Sequence, residues 1–415
     1  MKVLWVTNMP LKEVSDALNV PGTLSQSWLV DLWRLTREAG ITVCSASVSR
    51  MNEMKSVELY GGMHYVIPVI SKFTPASAYQ KYWKQIMDRE KPDIIHIHGT
   101  EYRHPLPLLK MYPQVKSILT IQGLMSRISE EFYGGLTHWQ TIRYRTLKEN
   151  LHLGGMIGTR RLYQKQAKNE VEILRRVRCV TGRTLWDYSI IRKINPDIRY
   201  YQCTYNLRED FYTAEKWDLR HIERYSIYTS FSSYPLKGLH MLLRAIALVR
   251  REYPQVKLYV PGVQGRADGS LIVHSGYTRY IADLIEQNSI TNNVCFIGGQ
   301  STQDVIYHLQ HAHACIVSSA IEGASATLRE GMHIGTPCIC AYRGGMTELL
   351  RDRESGFYYD YAEYPYLAER IKQLFADDDM ARRFSVKVIH DAEIMHNRDE
   401  NAKKWLDVYR QTYEE

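Results

Sequence analysis

Short apolar runs alternate with amphipathic stretches along this chain, and the alternation starts afresh near its middle. Val3–Thr7, Ile41–Ala46, Asp93–His98 and Ser117–Gln122 read as strands. Ser25–Ala39 and Tyr79–Glu90 read as helices stopped by Gly40 and Pro92. A helical pattern runs from Glu131 to Arg178, and Arg178–Thr181 and Arg199–Cys203 close the first set. From Tyr225 a second set begins: strands at Tyr225–Ser230, Lys257–Pro261, Val294–Ile297, Ala314–Val317 and Thr336–Ala341. Helices are expected at Leu239–Tyr253, Tyr277–Asn288, Thr302–His311, Thr347–Arg351, Tyr364–Asp377 and Asn401–Tyr413. Such alternation packs as helices over a mainly parallel sheet, an α/β architecture. A chain of 415 residues exceeds one typical core. The expected division is a domain over 1–205, a connection over 206–224, a second domain over 225–395 and a terminal helix over 396–415. The connection is drawn where the sequence turns polar and aromatic without a period.

Open parallel sheets bind ligands beyond their strand C-termini, so two such domains predict a cleft with a ligand in it. The loop after the first strand holds Pro21-Gly22-Thr23 and no Gly-x-Gly-x-x-Gly, which disfavours a nicotinamide or flavin enzyme. Seven scattered cysteines without a Cys-x-x-Cys read as reduced, buried thiols. No histidine spacing suggests a metal site. The opening Met1–Val6 is too short for a signal segment, and no run of about 18 uncharged apolar residues occurs, so a cytoplasmic protein is expected.

The formal charge of +8 is uneven. Between His138 and Arg199 fourteen Lys/Arg face five Asp/Glu, an excess of nine in one segment. A basic patch can serve nucleic acid, acidic lipid or a phosphorylated substrate, or simply be a solvated helix face. Interleaved Trp139, Tyr144, Leu147, Leu151 and Leu162 suit a surface-seeking segment, peripheral on anionic membrane. No helix-turn-helix, zinc or RNA-binding motif accompanies it, which argues against a nucleic-acid partner.

The segment richest in chemistry runs from Ser318 to Met332. Glu322 and Glu330 stand eight positions apart around Gly323-Ala324-Ser325-Ala326, straight after the apolar run Ala314–Val317. That order reads as strand, loop and helix N-terminus, where unpaired N–H groups and the helix dipole suit an anionic or polyhydroxylated ligand. Thr327-Leu328-Arg329-Glu330 equally fits a capping box. Downstream come Gly335-Thr336-Pro337, Gly344-Gly345-Met346-Thr347-Glu348 and Ser355-Gly356-Phe357. On these residues the chain resembles the retaining glycosyltransferases of family 4, which carry a Glu-x7-Glu motif on a GT-B fold.

The resemblance implies two Rossmann-like domains facing a central cleft, with a terminal helix crossing back to the first. It implies Glu322 on the donor-sugar hydroxyls, Glu330 on the ribose, and the Gly323, Ala324, Ser325 and Ala326 amides near sugar and phosphates. Lys237 and Gly238 match the family's phosphate-binding segment, whereas its usual Arg is replaced within Phe231-Ser232-Ser233; Arg183 or Arg266 could substitute. Gly22 matches a glycine that lets the first loop approach the diphosphate, and Gly299 lies beside the base. Gln122 takes the place of a family His. It cannot be a general base but can orient an acceptor, together with His98, Glu101 and Arg183. The resemblance implies that the proton passes to the leaving diphosphate in a front-face displacement; the alternative, a double displacement, needs a nucleophilic carboxylate, for which Glu101 is the candidate.

The expected function is metal-independent, retaining hexosyl transfer from a nucleotide sugar, UDP-sugar favoured, to a glycan carried on a lipid diphosphate. The nucleotide sugar is a co-substrate and no cofactor is expected. Two rivals stay open: a GT-B-type epimerase or hydrolase, and a non-catalytic sugar-nucleotide binder.

Overall fold

The strand β1 (Lys2–Val6) shows why the first sheet is covered on both faces. Val3 and Trp5 enter one apolar cluster and Leu4 and Val6 the other, so successive residues bury opposite sides. The computed structural model describes the chain outside residues 22–26, 70–73, 152–153, 230–232, 264 and 267, with the side chains of 27 and 28 also left out. Two units result: Met1–Ser126 with Tyr163–Asn206 and His396–Glu415, and Arg127–Leu162 with Leu207–Met395.

Among the described residues of the first unit, β1, β2 (Thr42–Ser49), β3 (Lys55–Leu59), β4 (Gly62–Pro68), β5 (Ile94–His98), β6 (Lys116–Thr120), β7 (Cys179–Gly182) and β8 (Arg199–Gln202) form one sheet. Its order is β3-β4-β2-β1-β5-β6-β7-β8, parallel except for the β3–β4 hairpin. That hairpin was not expected from sequence. Tyr60 and Gly61 form its two-residue turn, both at positive φ (53° and 75°), the geometry that matches strand twist.

The helix Arg398–Glu414 completes the first unit, placing Trp405, Val408 and Tyr409 in the same cluster as Val3 and Trp5. Trp5 Nε1 donates to the Tyr409 hydroxyl at 3.0 Å, and that hydroxyl lies 2.6 Å from His96 Nδ1. His96 Nε2 meets Thr120 Oγ1 at 2.6 Å, and Thr120 meets Thr181 at 2.7 Å. Burial pushes the His96 pKa down to about 3, so the ring is neutral and needs one donor and one acceptor. The simplest assignment lets Tyr409 accept from Trp5 and donate to Nδ1, leaving the ring proton on Nε2 for Thr120. Tyr409→Phe would orphan two buried groups at once, an expected loss of about 2–4 kcal/mol in urea unfolding of the first unit. An unchanged midpoint would refute the relay.

In the second unit β9 (Glu223–Thr229), β10 (Lys257–Pro261), β11 (Val294–Gly298), β12 (Ala312–Val317), β13 (Cys338–Ala341) and β14 (Gly356–Tyr359) form a wholly parallel sheet, β11-β10-β9-β12-β13-β14. The order reverses between β9 and β12, so the topological switch point lies at their C-terminal ends. Two expectations differ here. From Leu207 onward the stretch drawn as a connection belongs to this unit: Phe211 and Trp217 are buried, and Trp217 Nε1 donates to Ala312 O at 2.7 Å. Its aromatics follow no period because they plug gaps at strand and helix ends. The helix expected at Thr347–Arg351 is instead a 3-10 turn over Gly344–Glu348. An unexpected long helix, Asp378–Met395, follows Tyr364–Ala376.

Candidate active site

At the switch point of the second unit, the loop after β9 and the loop after β12 are bound together. Ala320 N donates to Leu236 O at 2.7 Å and Ser318 Oγ to Lys237 O at 3.1 Å. Gly238 has φ +70°, and a Cβ there would overlap the Ser318 carbonyl. The glycine is required by that close approach as well as by its backbone. Lys237 is thereby held opposite Glu322, with Nζ 2.7 Å from Oε1 and side chains 18% and 14% exposed. Ser319 Oγ also donates to Glu322 Oε1.

Glu322 is fixed from its backbone too. Gly345 N donates to Glu322 O at 2.9 Å, and a Cβ on Gly344 would strike that carbonyl. The Gly-Gly pair is thus the seat of the glutamate. Burial raises the Glu322 pKa, but the Lys237 ammonium and hydrogen bonds from Lys237, Ser319 and Ser325 outweigh it, holding the carboxyl below its ordinary value. Glu322 is therefore a carboxylate beside a cation.

The following helix begins at Ala326 with Ser325 as its N-cap, the hydroxyl accepting from Leu328 N at 3.4 Å. The Thr327–Glu330 capping box is thus overturned, and Glu330, one turn inside the helix, is released from capping. Its Oε1 accepts from Arg208 at 2.8 Å, and the same guanidinium donates to Thr302 Oγ1 at 2.8 Å and lies 5.0 Å from the Phe211 ring. Burial raises the Glu330 carboxyl above its ordinary value, and Arg208 only partly opposes this. Arg208 was missed in the sequence reading. It sits in the aperiodic stretch after Asn206, and the only signal was an unpaired carboxylate calling for a cation.

Lys237, Gly238, Glu322, Gly323, Ala324, Ser325, Ala326 and Glu330 all belong to this cluster or its loops. Gly299 lies just past β11, exposed, with open space where a Cβ would stand. Arg266, one substitute named for the missing phosphate-binding Arg, is exposed and turns back on Ser270. Gly22, Phe231 and Ser232 lie outside the described residues.

In the first unit a second polar group gathers at strand C-termini. Asn8 donates to Glu101 Oε2 at 2.9 Å past β5, and Gln122 Nε2 to His98 O at 3.3 Å. Arg183 Nη2 donates to Gln122 O at 2.6 Å, so the guanidinium positions that loop. Burial raises the Glu101 carboxyl despite bonds from its own backbone and Asn8. His98 departs from expectation. Its ring is fully buried, 4.7 Å from Trp5 and 3.9 Å from His96, and burial pulls its pKa well below the ordinary value. It supports Gln122 through its carbonyl and offers no imidazole to an acceptor. Nearby Glu170, also missed, accepts from Met125 N, Ser126 N, Ser126 Oγ and Thr100 Oγ1 at 2.7–3.0 Å. Among the described residues no three His, Cys, Asp or Glu side chains cluster to hold a metal.

Two Rossmann-like units with their polar groups at strand C-termini define the GT-B fold, and solved structures agree. Sucrose-phosphate synthase from Thermosynechococcus elongatus matches with a TM-score of 0.72 at 16% identity, covering 100% of this chain and 99% of that one. HepE from Anabaena, solved in complex with UDP-glucose, gives 0.65 at 14%, covering 99% and 100%. At the level of sequence, residues 214–405 match the family model described as Glycosyl transferases group 1. A putative glycosyltransferase EpsD of Bacillus subtilis is 29% identical over 147 residues, 35% of each chain. A D-inositol 3-phosphate glycosyltransferase of Corynebacterium urealyticum is 25% identical over 175 residues, 42% of this chain and 40% of that protein. The chain thus spans well under half the length of these curated relatives.

Proposed function

We propose that this chain transfers a hexosyl group from a nucleotide sugar to a glycan acceptor, with retention and without a metal ion. The observation that carries the reading is the Lys237–Glu322 pair at the sheet's switch point, beside a Ser325-capped helix N-terminus and Glu330. Lys237 and the helix amides offer positive potential for a diphosphate; Glu322 accepts from sugar hydroxyls and Glu330 from the ribose. The match of residues 214–405, which contain all these groups, supports transfer over epimerisation. The donor is taken as a UDP-sugar because HepE was solved with UDP-glucose.

In the reaction the acceptor hydroxyl oxygen bonds to the anomeric carbon on the face from which the diphosphate leaves. The carbon–oxygen bond to the diphosphate breaks with its electron pair, and the acceptor proton passes to the departing phosphate. Gln122 and Glu101 of the first unit orient the acceptor, Arg183 positions Gln122, and a lipid diphosphate carries the glycan. Calorimetric titration with UDP, GDP and ADP in chelator should show tight binding of UDP alone, and turnover should survive the chelator. Absence of binding to all three would reject the reading.

A further inference from the structure

The basic segment 138–199 is divided between the two units, 138–162 in the second and 163–199 in the first. Arg183 is spent on Gln122 O, Arg176 pairs with Glu172 at 2.9 Å, and Arg199 pairs with Glu415. The start of the segment, which belongs to the second unit, forms the helices His138–Arg143 and Leu147–Leu151. These are seated firmly from below. Tyr144 is buried with its ring 5.1 Å from Tyr280, and Glu149 Oε1 accepts from Gly276 N at 2.9 Å. Thr146 N donates to the other oxygen of Glu149 at 2.8 Å, and Arg145 donates to Glu149 O at 3.0 Å.

With the inner face satisfied, the outer face serves no folding purpose, yet it is apolar. Leu147 is 83% exposed, Leu151 82% and Trp139 67%. The spacing i, i+4 sets the two leucines on one side of their helix, and Trp139 and Ile142 share a side at i, i+3. Exposed Leu162 follows on the next helix. The charged side chains among them are of one sign: Arg143, Lys148 and Arg161 are exposed, whereas Glu149, the sole acid from 138 to 162, is turned inward. Beside Trp139 opens a cavity of about 380 Å³ lined by Gln140, Arg143, Arg244, Tyr280 and Gln287. Two guanidiniums and two carboxamides over an aromatic floor suit a phosphoryl headgroup with hydroxyls.

We infer that this face docks on an anionic membrane, the leucines and Trp139 entering the headgroup boundary and Arg143, Lys148 and Arg244 taking lipid phosphates. Apolar insertion and like-signed charge together distinguish this partner from a glycan or a nucleic acid. The inference stands apart from the donor site, since none of these residues touches it.

Vesicle co-sedimentation tests it on the full chain. Wild type should partition onto phosphatidylglycerol-containing vesicles, weaken with added salt, and largely ignore pure phosphatidylcholine. Leu147→Gln with Leu151→Gln should reduce partition about tenfold. Arg143→Ala and Lys148→Ala should each reduce it about fivefold, in low salt only. All are surface changes, so UDP binding and melting should not move. Equal binding to neutral vesicles, no binding to either, or indifference to the leucine pair would overturn the inference. So would self-association abolished by that pair, which would make the face an interface between copies.

Discussion

Replacing Lys237 with alanine should lower kcat about 10²–10³-fold while the protein still folds and binds nucleoside weakly. The size follows from the proposed role, a fixed cation placed where diphosphate charge develops. A second consequence separates this from simple damage. Glu322 keeps its burial but loses the ammonium that holds its carboxyl low, so its pKa should rise. In wild type the Glu322 carboxyl is depressed by folding, so its contribution is present above the unfolded value and lost as pH falls through the folded one. In the variant the acidic limb of kcat/KM against pH should therefore move upward. Lys237→Arg should restore the limb without restoring full kcat, since a planar fork does not place one ammonium. An unmoved acidic limb would separate Glu322 from Lys237 and sink the paired role.

Glu330→Ala should weaken UDP binding about 10²-fold, if it removes the charge-assisted bonds proposed to the ribose hydroxyls. Arg208→Ala acts on the same interaction by another route. It leaves a buried carboxylate, already raised by burial, without its nearest cation. The protonated form gains ground, and affinity should fall about tenfold and decline further as pH drops. The two losses should not add: in the Glu330→Ala background, Arg208→Ala should be nearly silent. Isothermal titration of UDP across the four proteins decides it, and independent losses would dissociate Arg208 from the site.

The groups legible in the sequence were those whose spacing is local. Glu322, Glu330 and their small residues lie in one loop and helix, and Lys237-Gly238 sits at a strand-to-helix junction. The Gly344-Gly345 pair stood out, although its purpose, seating the Glu322 carbonyl, is a contact across the sheet that no period encodes. Arg208 was hidden for the same reason: it reaches 122 positions along the chain to Glu330. His98 misled because a strand-terminal histidine looks the same in sequence whether its ring faces solvent or Trp5. The β3–β4 hairpin was overlooked because Tyr60 at positive φ disguises a turn that Asn or Gly would advertise.

The Tyr409 hydroxyl also dictates an order of events during synthesis. Its partners Trp5 and His96 leave the ribosome long before it, and the whole of 207–395 is translated in between. The first unit therefore emerges early with a tryptophan indole and an imidazole lacking their partner, and it waits through production of another unit before the core can close. N-terminal parts usually fold first on the ribosome. Here the N-terminal sheet is finished last, and a chain stalled before residue 396 would present an apolar face of that sheet to whatever chaperone is at hand.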